Sequence, residues 1–392
     1  MPSVCLILKV HEPPRLRHYS FFDIGESTNY TDETATCAQL DKIATQCYLP
    51  ATRILLKQIN EYRGDFRLAV LLSGVALTHF ERFQPELLTQ FRHLAESGCV
   101  EFICEPSAHS LAFLFSRPEF REQVKLHRQQ LHALLGVTPG TLNCHALNYN
   151  NDFALEADAL GFNVILANGT EGLLDGRSPH RVYQPAAYPN LKVLFETNLL
   201  ADNIARFSSA SNASDKPLSA GKFMSFLSQK QGDVAALSVN LNTLDEHPLG
   251  DAGALEFLHD FPGALLAYKG FTFETPAQTA HSTPPCGSIS IPGFTSWEAA
   301  EQESHDLIGN EMQKDALHGL YLLEKEVKTH PDPAILSSWR QLQVSDHFRY
   351  MDTKQLSEPH GSAPSNPYHS PYDAYINFMN ILTDFSERLS VR

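Results

Sequence analysis

A chain of 392 residues, 43% hydrophobic and 19% charged, holds enough apolar material for a large core and too little charge bias for disorder or coiled coil. Its net charge of −15 gives an acidic surface that repels nucleic acid and anionic lipid, so the ligands to expect are neutral ones. Its seven cysteines lack any CxxC pair, its N-terminal apolar run is broken by Lys9, and no run approaches the ~18 apolar residues of a membrane span; the expectation is a cytoplasmic protein with buried thiols.

In chain order, short apolar and β-branched runs alternate with amphipathic stretches. Strands are expected at Val4–Val10, Arg67–Leu72, Val100–Cys104, Thr141–Ala146, Val164–Ala167, Lys192–Glu196 and Val234–Asn240, with a weaker eighth run at Gly270–Phe273. Helical patterns intervene at Thr34–Glu61, Pro85–Ser97, Pro118–Leu135, Asp152–Leu160 and Leu218–Gln231. Near-continuous apolar strands alternating with helices indicate a parallel sheet covered on both faces, and seven such units favour closure into a barrel. A stretch rich in Pro, Ser, Thr and Gly follows, and from it the pattern is helical: Trp297–Lys328, Pro333–Lys354 and Pro371–Leu389, the last two separated by a loop over Glu358–Pro371. The expected fold is an incomplete TIM-like (β/α)₇ barrel over residues 1–280, a linker over 281–295, and an α-helical C-terminal region over 296–392 packing on the barrel.

Functional groups of a parallel barrel stand where the strands end. Those ends read Val10-His11-Glu12-Pro13, Leu72-Ser73-Gly74, Cys104-Glu105-Pro106-Ser107-Ala108-His109, Cys144-His145-Ala146-Leu147-Asn148 and Asn240-Leu241-Asn242-Thr243-Leu244-Asp245-Glu246-His247. This rim has neither a Gly-rich phosphate cradle nor a nucleophile elbow. Its His, Asn, Glu and Asp groups suit a polyhydroxylated ligand, with Tyr149 and Trp297 as aromatics that could stack on sugar faces. A zinc-like site from His11, His109, His247 and Glu105 finds no HxxxH or DxH spacing in support, so neither metal nor cofactor is expected.

Collinear segments along the chain resemble glycoside hydrolase family 57, in its α-amylase-like branch. The strand followed by His11-Glu12-Pro13 is similar to the family's His-Gln-Pro signature. Phe21-Phe22-Asp23-Ile24-Gly25, Cys47-Tyr48-Leu49-Pro50-Ala51, Ser73-Gly74-Val75-Ala76-Leu77, Gly98-Cys99-Val100-Glu101-Phe102 with the later His109-Ser110-Leu111, Gly309-Asn310-Glu311-Met312-Gln313 and Ser345-Asp346-His347-Phe348 match as well. The resemblance implies an incomplete seven-stranded barrel acting on α-glucans through a nucleophilic Glu on strand four and a general-acid Asp ending strand seven. Here the corresponding positions hold Ala146 and Asn240.

Alanine has no atom to attack an anomeric carbon, and an amide cannot deliver a proton at neutral pH. Loss of the acid removes about 10² to 10⁴ in rate, and loss of the nucleophile removes the covalent route. Among the neighbours, His145 should face away from the vacated direction, and Cys144 should share the face of Ala146 one layer deeper in the barrel. The resemblance implies that His11, Glu105, His109, His247, Asp346 and His347 contact sugar hydroxyls or brace the site, with Asn242, Glu246 and Trp297 as further ligand contacts. The leading expectation is an α-glucan- or maltooligosaccharide-binding protein without catalysis. The competing ones are an active hydrolase or 4-α-glucanotransferase using Glu105, Asp245 and Glu246, and a scaffold whose acidic surface or helical region holds a protein partner.

Overall fold

A computed structural model describes residues 2–144, 149–169, 174–197, 220–242, 253–268, 270–292, 305–356 and 366–390. Seven strands form the barrel: β1 (Ser3–Val10), β2 (Leu68–Leu72), β3 (Val100–Phe102), β4 (Thr141–Asn143), β5 (Val164–Asn168), β6 (Lys192–Thr197) and β7 (Val234–Asn240). All pair in parallel in the order β3-β2-β1-β7-β6-β5-β4, and a bridge between Cys104 and Leu142 joins the two ends of that order. The incomplete (β/α)₇ barrel read from the sequence is therefore the fold.

The strands are apolar because both faces are covered. Alternation sends Val4, Leu6, Leu8 and Val10 of β1 outward into a core shared with the surrounding helices. Cys5 and Ile7 face inward, where Ala69, Leu71, Ile103, Leu166, Leu194 and Ala236 fill the barrel. The eighth run does not become a stave: Thr272–Phe273 pairs only with Ser3–Val4 at the start of β1. The helix Pro276–Ser282 follows it and closes the lower end, where the Ala277 N–H donates to Glu101 Oε2 at 2.8 Å. The stretch expected as a linker is packed as far as it is described, since Ser288–Ile289 pairs with Gln184–Pro185.

The single helix expected over Thr34–Glu61 is two, Glu33–Ile43 and Leu49–Glu61, joined by a π turn at Ala44–Tyr48. Pro50 lacks the N–H that would have bonded the Gln46 carbonyl, and the wider turn re-aims Cys47 and Tyr48 toward the strand ends. Four described helices went unread in the sequence: Gly74–Phe83, Ala112–Phe115, Gly253–Ala267 and Pro276–Ser282. In the helical region, Glu311–Leu322, Pro333–Leu342 and Pro371–Ser390 pack with the outer faces of β4–β6 and their helices in a second outer core that includes Trp339 and Phe348. The loop expected at Glu358–Pro371 lies largely outside the described residues.

Candidate functional site

The open end of the barrel gathers residues that continue the inward-facing series of each strand. On β1 that series runs Cys5, Ile7, Lys9 and then His11, just beyond the strand. His11 bonds at both ring nitrogens: Nδ1 to Ser73 Oγ at 2.8 Å and Nε2 to Asp346 Oδ2 at 2.8 Å. Ser73 ends β2 and accepts from the Ala76 N–H at 3.1 Å, so one hydroxyl both caps the helix Gly74–Phe83 and fixes the imidazole. A Cβ on Gly74 would meet the Ser107 carbonyl at 2.5 Å, and this close approach brings the ends of β2 and β3 together.

Burial opposes a charge on His11, but the Asp346 carboxylate outweighs it and raises the imidazole's pKa. Burial likewise opposes charge on Asp346, and His11 and Arg349 hold its carboxyl far below the ordinary range. The pairing favours the protonated ring, in which both N–H groups donate.

His109 stacks on His11 with ring centroids 3.8 Å apart and planes inclined by 20°. Its Nδ1 lies 2.7 Å from Oε1 of Glu105, which is 0% exposed. Burial, and then the His11 charge, push the His109 pKa well down, so a neutral ring donates from Nδ1 to Glu105. His109 has φ of +52°, a left-handed conformation that costs a β-carbon residue about 1–3 kcal/mol. The conformation is held from outside: the Ser345 N–H donates to the His109 carbonyl at 3.2 Å, and Ser110 bridges to Val344. The contact that strains His109 thus delivers Asp346 to His11.

His11, His109 and Asp346 offer atoms within 4.8 Å of one another. Metal ligands must aim their lone pairs at one point ~2.0–2.1 Å away. Stacked rings aim theirs side by side, and His11 spends both nitrogens on hydrogen bonds, so this is an ion pair with a ring laid over it. His247, which the zinc reading also needed, lies outside the described residues.

His347 turns away from this group. Its Nε2 donates to the Gln341 carbonyl at 3.2 Å, its ring packs by Phe378, and burial lowers its pKa to about 4. Asn240 ends β7 in register with Lys9 and is exposed; Asn242 is half-buried in the following turn. Cys144 departs from expectation. The inner residues of β4 are Thr141 and Asn143, while Leu142 and Cys144 pack outward with Tyr149 and Phe153. Ala146, Asp245, Glu246, His247 and Trp297 lie outside the described residues.

Three features were missed in the sequence. Lys9 Nζ meets Glu196 Oε1 at 2.7 Å inside the mouth, and the signal was a lysine on the inward face of an otherwise apolar strand. Tyr48 Oη, re-aimed by the π turn, donates to Glu12 Oε1 at 2.6 Å. That carboxyl is buried, which raises its pKa against the pull of the tyrosine. His127 spans two strand ends: its Nε2 donates to the Leu72 carbonyl at 2.8 Å, and its Nδ1 accepts from the Glu105 N–H at 3.1 Å.

Comparison with known proteins fits this geometry. A protein of Methanocaldococcus jannaschii named "Putative alpha-amylase" is 29% identical over 393 residues, covering 96% of this chain and 82% of its own. Among solved structures, a family 57 branching enzyme of Thermococcus kodakaraensis superposes with a TM-score of 0.72 at 11% identity, over 99% of this chain and 90% of that one. The 4-alpha-glucanotransferase of Thermococcus litoralis gives a TM-score of 0.65 at 13% identity over 88% of this chain, which spans only 56% of that enzyme. At such identities the superpositions speak for the fold alone. The sequence match to Glycosyl hydrolase family 57 runs over residues 5–292, from Cys5 within β1 to the packed stretch beyond the closing helix, and on it the chain belongs to that family.

Proposed function

We propose that this protein binds α-glucan or maltooligosaccharide chains at the barrel mouth and does not cleave them. A retaining glycosidase needs two carboxyl groups flanking the scissile bond, ~5–5.5 Å apart, one free to attack and one free to protonate. The observation that carries the proposal is that the buried carboxyl groups described at the strand ends are engaged elsewhere. Glu105 bonds His109, Asp346 bonds His11, Glu196 bonds Lys9 and Glu12 bonds Tyr48. With Ala146 and Asn240 in the inherited catalytic positions, the mouth keeps donors and acceptors for hydroxyl groups and loses the pair that does chemistry.

In this reading Asn240 and Asn242 bond sugar hydroxyls, while the stacked His11 and His109 form a rigid wall. Glu246, His247 and Trp297 are assigned ligand contacts on sequence grounds. The competing reading, an active hydrolase or glucanotransferase with relocated carboxylates, draws on Asp245, Glu246 and Glu105; the 0% exposure of Glu105 and its bond to His109 weigh against that use of it. Calorimetric titration with maltooligosaccharides and glycogen tests the proposal. Saturable heat at millimolar ligand or below is expected, and no heat and no thermal shift at that concentration would refute it.

A further inference from the structure

The lower end of the barrel, opposite the mouth, carries an open cleft of 890 Å³. It lies between the turn that leads into β2 and the helix Pro276–Ser282, and Thr272–Phe273, which pair with Ser3–Val4, line it as well. A strand rises about 3.3 Å per residue, so the cleft stands roughly 25 Å from His11 along β1. Its volume falls within the range of small-molecule sites, ~300–1,000 Å³.

The polar groups that line it are largely unspent. Arg67 is fixed by donating from Nη1 to the Gly98 carbonyl at 3.1 Å, and its other N–H groups have no partner among the described residues. The side chains of Asp65 and His281, both exposed, have none there either. Glu274, the other acid of the lining, is occupied by the hydroxyls of Ser3, Thr279 and Ser282. The apolar part is Leu266 and the half-buried Phe271, whose ring centroid lies 5.8 Å from that of Tyr268, itself 45% exposed.

Arg67 and Asp65 cancel in charge, so an ionic ligand meets no net opposite charge here. The unspent guanidinium, carboxylate and imidazole supply donors and acceptors side by side, and a hydroxyl, which is both at once, can satisfy either kind. Phe271 adds a surface for an apolar ring face. A neutral ring with one apolar face and a rim of hydroxyls is a pyranose.

We propose that this cleft is a second sugar site, taking a short stretch of a neutral glucan at the end of the barrel away from the mouth. That the sugar is a glucan rests on the reading given above; the location and chemistry of the cleft do not. A short oligosaccharide then fills two places on one molecule, and a branched polymer held at both gains avidity.

The test is calorimetric titration with maltotriose of wild type, Asp65→Ala/His281→Ala, Phe271→Ala and Asn240→Ala, after thermal melts of each. The first variant removes only exposed groups without partners, so its fold should be unaffected. The expected result is two maltotriose molecules per wild-type chain, one of them weakened about tenfold or more by either cleft variant and the other weakened only by Asn240→Ala. A single site that survives in the cleft variants and is weakened by Asn240→Ala overturns the cleft and leaves glucan binding at the mouth intact. A single site weakened only by the cleft variants supports the cleft and refutes the reading of the mouth. No binding by wild type refutes both. The wild-type protein gives a check that no variant's folding can disturb: the imidazole signals of His281 should shift as maltotriose saturates, and signals that stay fixed overturn the proposal.

Discussion

Replacing Arg340 by methionine removes the charge that ties the helical region to the barrel and keeps the apolar stem in place. Arg340 grips Glu119, which is 0% exposed, through Nε at 2.7 Å and Nη2 at 3.2 Å, and reaches Glu122 at 2.7 Å. Burial works against the Glu119 charge, and Arg340 and Gln123 overcome it, holding that carboxyl's pKa below its ordinary value. Breaking one side of a buried pair costs about 3–5 kcal/mol. Lys328 remains 3.1 Å from Glu119 and shares the burden, which places the loss near the lower end, roughly 3 kcal/mol. At about 2.1 cal/mol/K per residue, unfolding all 392 residues together carries ~0.8 kcal/mol/K, so the melting midpoint falls by about 4 °C. Differential scanning calorimetry reads this directly. The control is Arg53→Met on an exposed pair whose side chains are 60% and 61% accessible, worth at most about 1 kcal/mol. The double variant Arg340→Met/Glu119→Leu should recover much of the loss, because an apolar pair leaves no charge stranded. An Arg340→Met midpoint no lower than that of Arg53→Met would refute this reasoning.

Other outcomes follow from the same geometry. His347, held down to about 4 against an unfolded value near 6.5, binds fewer protons in the folded chain than in the unfolded one, so stability is present above pH ~6.5 and is lost as pH falls toward 4. The full effect is about 3 kcal/mol; melts between pH 7 and 4.5 should show the decline, His347→Phe should flatten it, and equal slopes for both proteins would contradict it. His11 shifts the other way: its raised pKa contributes stability below the unfolded value that fades as pH rises through the folded one. Imidazole nitrogen shifts should therefore find His11 titrating at higher pH in wild type than in Asp346→Asn, and a wild-type midpoint no higher than the variant's would end the ion-pair account. Restoring both inherited groups as Ala146→Glu/Asn240→Asp should yield new reducing ends from amylose, whereas either change alone should not; activity from Asn240→Asp alone would mean that another nucleophile is at work.

The barrel was legible because its strands are apolar on both faces, a pattern that parallel sheets share with few alternatives. Closure was legible from the number of units. The helix Gly74–Phe83 was harder, since its first residue is a glycine and it starts directly from the strand end, so Ser73 reads as a turn until its capping role is seen. The π turn at Ala44–Tyr48 was hidden for a related reason: apolar periodicity continues through it, and only Pro50 marks the change. At the site, the sequence reading named His11, Glu105, His109, His247, Asp346 and His347 together; the structure brings His11, Glu105, His109 and Asp346 side by side, and their pairing depends on Val344 and Ser345, more than 230 residues from His109 in the chain. Local pattern holds no trace of such a contact. Cys144 packs outward, as alternation counted from Thr141 requires, while Ala146, whose face it was expected to share, lies outside the described residues.

The central claim, that this barrel holds a glucan without cutting it, is tested most directly by incubating the wild-type protein with maltoheptaose at a concentration where calorimetry detects binding, while reducing ends and chain lengths are followed. The account predicts bound ligand with reducing ends and chain lengths unchanged. New reducing ends, or chains longer or shorter than the starting one, abolished by Glu105→Gln or Glu246→Gln, would contradict it.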